Sequence, residues 1–185
     1  MSYIRPAESK DLKDIEYICR MTAGPEARRN EDVGKKISLT YSTYYARAER
    51  DSCFVLDDNG TAVGYILCAT DYSKYVRGYR KNEVRELWKI DKLQSITAYF
   101  LPLGYLPFKK KYPAHLHIDI LDDYQGKGYG SQLMDALLAK LKSMNIPGVM
   151  LIVDKDNTGA QRFYQRKGFV KIASALGGVV MARNL

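Results

Sequence analysis

Residues 124–131 read Tyr124-Gln125-Gly126-Lys127-Gly128-Tyr129-Gly130-Ser131 and join two segments of different pattern. The apolar run at 115–121 before them predicts a strand, and the apolar stripe after them predicts a helix from about Gly128 to Met144. Alternating glycines at such a junction let the backbone approach a bound group closely and leave N–H donors open at the positive end of a helix. The arrangement is typical of a phosphate or pyrophosphate site.

Two other glycine-rich phosphate motifs do not fit this stretch. A P-loop requires the pattern GxxxxGK[ST], which the sequence lacks. A dinucleotide fingerprint requires GxGxxG, and Ser131 stands where its third glycine belongs. The pattern that remains is QxxGxG, formed by Gln125, Gly128 and Gly130.

The composition is that of one folded domain. The 185 residues fit a single domain, and a hydrophobic fraction of 46% supplies material for a core. No apolar run reaches the roughly 20 residues of a membrane span, and residues 1–6 lack the apolar region of a signal peptide. Cys19, Cys53 and Cys68 lack metal-ligand spacing and are expected to be buried reduced thiols. These features predict a cytoplasmic protein that does not bind membranes.

The net charge of +8 would attract either nucleic acid or a polyanionic small molecule. The densest basic run, Lys109-Lys110-Lys111, is short and lies beside prolines, so we expect it in a solvated loop. Because no nucleic-acid recognition motif occurs, no nucleic-acid partner is predicted. The oligomeric state stays open, with a homodimer as one option.

The hydrophobic pattern predicts one α+β domain over residues 1–185, with a mixed central sheet flanked by helices. The predicted order is β-α-α-β-β, an insertion, and then β-α-β-α-β-β. The elements are helices at about 11–21, 32–50, 128–144 and 158–167, and strands at 3–5, 53–56, 62–69, 115–121, 148–153, 169–173 and 178–183. The insertion at 72–112 has helical spacing and many aromatic residues. We interpret it as a helical insertion that carries a lid or a substrate wall, with core packing of its aromatic residues as the equal alternative.

A second block of sequence points to one family. Residues 157–169 read Asn157-Thr158-Gly159-Ala160-Gln161-Arg162-Phe163-Tyr164-Gln165-Arg166-Lys167-Gly168-Phe169, in which an asparagine opens a helix and a tyrosine follows seven residues later. Together with the QxxGxG loop and the order of elements over residues 3–183, this block resembles the GCN5-related N-acetyltransferases, the GNAT superfamily. The segment 72–112 is the least typical part.

The resemblance implies acetyl-CoA as the donor and assigns several parts of the chain to it. The backbone at Ile118–Ile120 would pair with the pantetheine arm, and N–H groups from Gly126 to Ser131 would hold the pyrophosphate. Lys127 would either add charge towards the phosphates or face solvent. The implied cofactor residues are Ile118, Asp119, Ile120, Gly126, Lys127, Gly128, Tyr129, Gly130, Ser131, Asn157, Ala160 and Tyr164.

Acetyl transfer to an amine requires two protons to move. The resemblance gives Tyr164 as the acid for the departing thiolate, with core packing beside Phe163 as the alternative. The amine needs a base, because an ammonium group with a pKa of about 10 is not nucleophilic. Some protein-acetylating relatives carry a glutamate on the strand that here reads Val149-Met150-Leu151-Ile152-Val153, without a carboxylate.

Asp119 is the substitute candidate for this base. Alternate residues of a strand point the same way, so Asp119 is expected to share a face with His115 and His117. A hydrogen-bonded network that organises the sheet is the equal alternative. A metal site on this face is disfavoured, because a third ligand is hard to find.

The leading hypothesis is an N-acetyltransferase that moves acetyl from acetyl-CoA to a primary amine by direct attack. The acceptor is a small-molecule or peptide amine, and residues 72–112 would form the wall on its side. Residues 111–119 also resemble the acetyltransferase-like domain of some O-GlcNAc hydrolases and its free-standing bacterial relatives. That resemblance keeps a second hypothesis open, a catalytically weak acyl-CoA-binding or interaction module of the same fold.

Overall fold

A computed structural model of the chain describes residues 2–175 and 177–185. Met1 and Leu176, which fall within the predicted domain 1–185, lie outside the described residues. The strands are β1 (Tyr3–Pro6), β2 (Phe54–Asp58), β3 (Thr61–Ala69), β4 (Ala114–Ile120), β5 (Gly148–Asp154), β6 (Val170–Ala175) and β7 (Gly178–Asn184). The α-helices are α1 (Leu12–Thr22), α2 (Pro25–Arg29), α3 (Glu31–Tyr41), α4 (Thr43–Ala48), α5 (Tyr72–Tyr79), α6 (Arg85–Ile90), α7 (Lys92–Phe100), α8 (Tyr129–Ser143) and α9 (Thr158–Arg166).

The strands form one mixed sheet in the order β1-β2-β3-β4-β5-β7-β6. Every neighbouring pair is antiparallel except β4 and β5, which are parallel. The predicted α+β fold with a mixed central sheet flanked by helices is therefore confirmed.

The sheet opens between β4 and β5. These two strands are seven residues long, but they pair only at Ala114 with Val149 and at His115 with Met150. Beyond His115, β4 stays paired with β3 on its other side as far as Ile120. Among residues 2–175 and 177–185, no strand pairs with the β5-facing edge of β4 from residue 116 onwards. Unpaired backbone of this kind is a template for pairing with another extended group.

Helices cover both faces of the sheet. On one face, helices α1, α3, α4 and α5 bury a core that includes Ile15, Ile18 and Tyr65. On the other face, α8 and α9 pack over the sheet, and α8 contributes a buried stripe at helical spacing. This stripe consists of Leu133, Met134, Leu137, Leu138 and Leu141. Among residues 2–175 and 177–185, no helix has both the length and the apolar character of a membrane crossing.

The helix predicted at 32–50 is two helices. Ser42 separates α3 from α4 with a non-helical φ of −128°, and both its N–H and its hydroxyl donate to the carbonyl of Ser38. A side chain that bonds its own backbone in this way competes with the regular helix. A short helix that the pattern did not predict, α2, lies between α1 and α3 and starts with Pro25 at its first position.

The segment between β3 and β4 is largely helical. A π-helical turn at Arg80–Val84 joins α5 to α6, and a 3₁₀ segment at Leu101–Phe108 follows α7. Asp71 and Asp91 cap α5 and α7, because each side chain accepts a backbone N–H from the first turn. These caps fix where the two helices begin.

Candidate active site

The glycine loop has the backbone geometry of an anion site. Gly126 and Gly128 have positive φ angles of 73° and 84°, and a Cβ at either position would meet no atom within 4 Å. Among the described residues, nothing accepts a hydrogen bond from the backbone N–H groups of residues 126–130. These donors lie at the positive end of the 15-residue helix α8. The N–H of Ser131, in contrast, donates to the carbonyl of Gly128 at 3.0 Å.

Side chains fix this loop to the end of β4. The amide nitrogen Nε2 of Gln125 donates to the carbonyl of Ile120 at 2.8 Å and to Asp122 at 3.3 Å. The hydroxyl of Tyr124 donates to Asp58 at 2.7 Å, which ties the loop to β2. The loop conformation is therefore determined before any ligand arrives, which lowers the entropy cost of binding.

The loop, β4 and α9 enclose a groove of about 820 Å³. It brings together ten of the predicted cofactor residues: Ile118, Asp119, Ile120, Gly126, Gly128, Gly130, Ser131, Asn157, Ala160 and Tyr164. Lys127 and Tyr129 do not line it, and the ammonium group of Lys127 lies 5.6 Å from the ring centre of Tyr124. The side chain of Asn157 caps α9 by accepting the N–H of Ala160 at 3.0 Å.

One backbone donor of β4 points into the opening of the sheet. The N–H of Leu121 donates to Val63 on β3 at 3.0 Å. Successive residues of a strand direct their N–H groups to opposite sides, so the N–H of Ile120 faces away from β3. It is therefore directed towards the unpaired edge that borders the groove.

Tyr164 is a buried residue of α9 that lines the groove. Its ring packs against Phe163 and Phe169, and its hydroxyl donates no hydrogen bond to any described residue. Burial, and next the charge of Asp119, raise the pKa of Tyr164 well above its ordinary value. The phenol is therefore protonated at neutral pH and is available as a hydrogen-bond donor.

Asp119 belongs to a three-residue network that includes one residue the sequence did not indicate. The hydroxyl of Tyr65 donates to Asp119 Oδ2 at 2.7 Å and lies 3.1 Å from His117 Nδ1. His117 Nδ1 is 3.5 Å from the same carboxylate oxygen. Tyr65 stands directly opposite Asp119 in the register of β3 and β4, so strand pairing was the signal that could have identified it.

His115 has a different environment from His117, although both lie on the same face of β4. It is fully buried among the rings of Tyr45, Tyr75 and Tyr105, at centre-to-centre distances of 5.7, 4.4 and 4.7 Å. Neither ring nitrogen has a hydrogen-bond partner among the described residues. Burial lowers the pKa of His115 to about 3, so its ring is neutral and belongs to the aromatic packing.

A second cavity, of about 280 Å³, lies on the side of the sheet covered by α3, α4 and α5. Its walls carry Tyr41, Tyr45, Tyr75 and Tyr105, and His117 of β4 borders it. Strand β4 thus contributes to the cavity through His117 and to the groove through Ile118–Ile120. The two spaces adjoin the same opening of the sheet from its two helical layers. We call the second one the tyrosine cavity.

Comparison with known proteins matches this arrangement to one family. The profile of the Acetyltransferase (GNAT) family matches residues 15–169. The chain belongs to this family. Acetyl-CoA, the cofactor predicted from the sequence, is the donor that the family uses.

Two similar structures and one curated protein extend the comparison. The solved structure of SsHAT has 32% identity and a TM-score of 0.88, over 99% of this chain and 98% of that chain. The PaiA N-acetyltransferase of Thermoplasma acidophilum, solved with coenzyme A, has the same fold at 15% identity and a TM-score of 0.65, over 100% of this chain and 99% of that chain. Protein O-GlcNAcase of Rattus norvegicus is 25% identical over 98% of this chain. The chain spans only 22% of the length of that O-GlcNAcase. The predicted resemblance to the GNAT superfamily and to a domain of O-GlcNAc hydrolases is confirmed.

Replacing His115 by leucine, which has a similar volume, should change how stability depends on pH. The pKa of His115 is about 6.5 when unfolded and about 3 when folded, so the unfolded chain binds the extra proton between these values. The native histidine therefore costs stability as pH falls below 6.5, by up to about 1.4 kcal/mol per pH unit. His115→Leu should remove this loss, as measured by urea unfolding between pH 7 and 4.5.

Glu83 changes the stability in the opposite direction over the same pH range, because burial raises its pKa to about 7. Its contribution to stability falls as pH rises from about 4.5 to 7. The quantity to compare is therefore the difference between the His115→Leu variant and the unmodified chain at each pH. A difference that stays constant from pH 7 to 4.5 contradicts a neutral buried His115.

Proposed function

We propose that this protein transfers acetyl from acetyl-CoA to a primary amine. The observation that carries the proposal is the run of N–H groups at residues 126–130, which have no acceptor among the residues that the structure describes, next to the edge of β4 that no described strand pairs with. The N–H groups of residues 126–130 suit a diphosphate, and the edge of β4 suits an extended chain that contains amides. Coenzyme A contains both groups in one molecule.

The residues of the groove fit that cofactor. The N–H groups of residues 126–130 would hold the pyrophosphate, and the backbone of Ile118–Ile120 would pair with the pantetheine arm. The start of α9 at Asn157 and Ala160 forms the opposite wall. Arg166 also lines the groove and adds positive charge at its side. The positive φ of Gly128 keeps the donors turned outwards.

Bound acetyl-CoA supplies a thioester whose carbonyl carbon an amine attacks. The N–H of Ile120, directed to the unpaired edge, would stabilise the negative charge that develops on the carbonyl oxygen. Tyr164 would donate a hydrogen bond to the departing sulfur, since its raised pKa keeps the phenol protonated. The N–H of Ile120 and the hydroxyl of Tyr164 are neutral donors, so the strength of their hydrogen bonds depends on the exclusion of water from the site.

Asp119 is the base that we propose for the acceptor ammonium. Its side chain is 26% exposed, so it is accessible from the opening of the sheet. The hydroxyl of Tyr65 holds one carboxylate oxygen at 2.7 Å and leaves the other without a hydrogen bond among the described residues. A carboxylate oriented in this way accepts a proton directly or through one water molecule.

The acceptor would approach through the tyrosine cavity. The 3₁₀ segment contributes Leu101, Pro102 and Tyr105 to its wall, which supports an acceptor-side role for the insertion at 72–112.

The cytoplasmic location and the homodimer remain predictions from the sequence.

A second candidate function is an acyl-CoA-binding module without turnover. It is favoured by the composition of β5, which has no carboxylate before Asp154 at its end. The similarity to O-GlcNAcase, whose length this chain covers only in small part, supports it as well. Both functions require coenzyme A binding, so thiol release from acetyl-CoA in the presence of amines distinguishes them.

Replacing Gly128 by alanine should weaken coenzyme A binding by about tenfold or more. A non-glycine residue in the left-handed region costs roughly 1–2 kcal/mol, and relief of that strain would turn the N–H groups away. Calorimetric titration of coenzyme A measures the effect. Gly60→Ala is the matched control, because Gly60 has a φ of 91° and open surroundings in the turn between β2 and β3. Equal affinity in both variants contradicts the proposed pyrophosphate site.

Tyr164→Phe should lower kcat by about a hundredfold, in the range typical of losing one hydrogen-bond donor to a developing negative charge. The affinity for coenzyme A and the melting temperature should change little, because the hydroxyl makes no hydrogen bond to the described residues. Thiol release reports turnover, and calorimetry reports binding. A variant with unaltered kcat would show that Tyr164 serves only as packing beside Phe163 and Phe169.

Asp119→Asn should lower kcat/KM for the amine by about a hundredfold at pH 7. The loss should shrink above pH 9, because a larger fraction of the amine is then already neutral. A purely structural role predicts the same loss at every pH. Tyr65→Phe is the companion variant, since it removes the 2.7 Å hydrogen bond but keeps the carboxylate, and its effect should be smaller.

A further inference from the structure

We infer that the tyrosine cavity selects a small organic cation, a primary monoamine whose apolar body is no larger than about one aromatic ring. The inference rests on the proposed function, because it assigns the acceptor class to the cavity on the acceptor side. Three properties of the cavity carry it: the absence of basic residues from its walls, its tyrosine rings and its size.

The charged residues at the cavity walls differ from those of the chain as a whole. The chain contains 29 lysines and arginines and has a net charge of +8. None of them is among the described residues that line the cavity, whereas Asp154 is. His117 borders the cavity and is 3.5 Å from the carboxylate of Asp119. A cation is therefore attracted at this place, and a carboxylate is not.

The aromatic rings supply a second attraction for a cation. Tyr41, Tyr45, Tyr75 and Tyr105 contribute to the walls, and Tyr41 stacks on His117 with ring centres 5.9 Å apart. Burial raises the pKa of Tyr45, Tyr75 and Tyr105, so their rings remain uncharged phenols. Neutral aromatic faces attract ammonium groups through cation–π interactions and also pack against an apolar body.

The size of the cavity limits the acceptor. Its volume of about 280 Å³ is just below the roughly 300–1,000 Å³ range of small-molecule sites. The innermost rings of Tyr45 and Tyr75 are buried and pack against His115, so the cavity cannot deepen without disturbing the core. A small amine fits this space, and a second charged group on the ligand would meet apolar surface at Leu101 and Pro102.

The test uses the full chain saturated with coenzyme A and four probes of the same shape. Phenethylamine is the cation, 2-phenylethanol is its neutral counterpart, 3-phenylpropionate is an anion and phenylalanine adds a carboxylate to the amine. Binding is measured by calorimetry, independently of turnover. We expect phenethylamine to bind about tenfold more tightly than the alcohol, and the two carboxylates to bind more weakly still. Equal binding of the amine and the alcohol, or tighter binding of a carboxylate, overturns the inference.

The variant Tyr41→Leu tests whether the amine binds in the tyrosine cavity. Tyr41 is 42% exposed, so this substitution leaves the core intact, and it should weaken phenethylamine binding about fivefold without changing coenzyme A affinity. Tyr17→Leu is the matched control, because Tyr17 is 51% exposed on α1 and does not line the cavity. Unchanged amine affinity in Tyr41→Leu overturns the inference.

The outcomes separate this inference from the proposed function. Thiol release from acetyl-CoA is measured with phenethylamine and with phenylalanine in the same preparations. Release that does not favour the cation supports acetyl transfer and overturns the inference. Selective binding of phenethylamine without any thiol release supports the cation site and contradicts acetyl transfer.

Discussion

The parting of β4 from β5 is the constraint on which the rest of the structure depends. The two strands share only two residue pairs, and the following backbone of β4 keeps one partner strand instead of two. Backbone N–H and C=O groups inside a protein need hydrogen-bond partners. The unpaired edge therefore requires an extended ligand or water, and the glycine loop begins where that edge ends. Gln125 joins the two features through its bond to Ile120, so one ligand meets both rows of donors in a fixed relation.

The opening also divides the protein into two electrostatic environments. On the side of α8 and α9, an anion is favoured by Arg166, by a helix N-terminus and by N–H groups that have no acceptor within the described part of the chain. On the side of α3, α4 and α5, tyrosine rings and carboxylates favour a cation. The net charge of +8 is the sum over the whole chain, so it does not predict the electrostatic environment on either side. In the proposed reaction this local separation would attract the phosphorylated donor to one side of the opening and an ammonium acceptor to the other.

The parts of the site that depend on local chemistry were predictable from the sequence. The loop at 124–131 and the cap at Asn157 follow from residues close together in the chain, and their backbone geometry follows from glycine and side-chain capping. Tyr65 was not predictable in this way, because it lies 54 residues from Asp119 and meets it only through strand register. The different environments of His115 and His117 also depend on distant helices. Likewise, the break at Ser42 falls within a pattern that is typical of a continuous helix, and the hydrogen bonds of Ser42 to the carbonyl of Ser38 accompany it.

The burial of Tyr164 decides which role its hydroxyl can have. A thiol has an ordinary pKa of about 8.5 and a phenol of about 10, and burial raises the phenol pKa further. Complete proton transfer from this phenol to a thiolate is therefore unfavourable. The low polarity that raises the pKa also strengthens a hydrogen bond to a negative sulfur, because less water competes for either partner. The same desolvation thus makes Tyr164 a poor acid and a good hydrogen-bond donor, and a phenylalanine at this position would keep the packing but lose the donor.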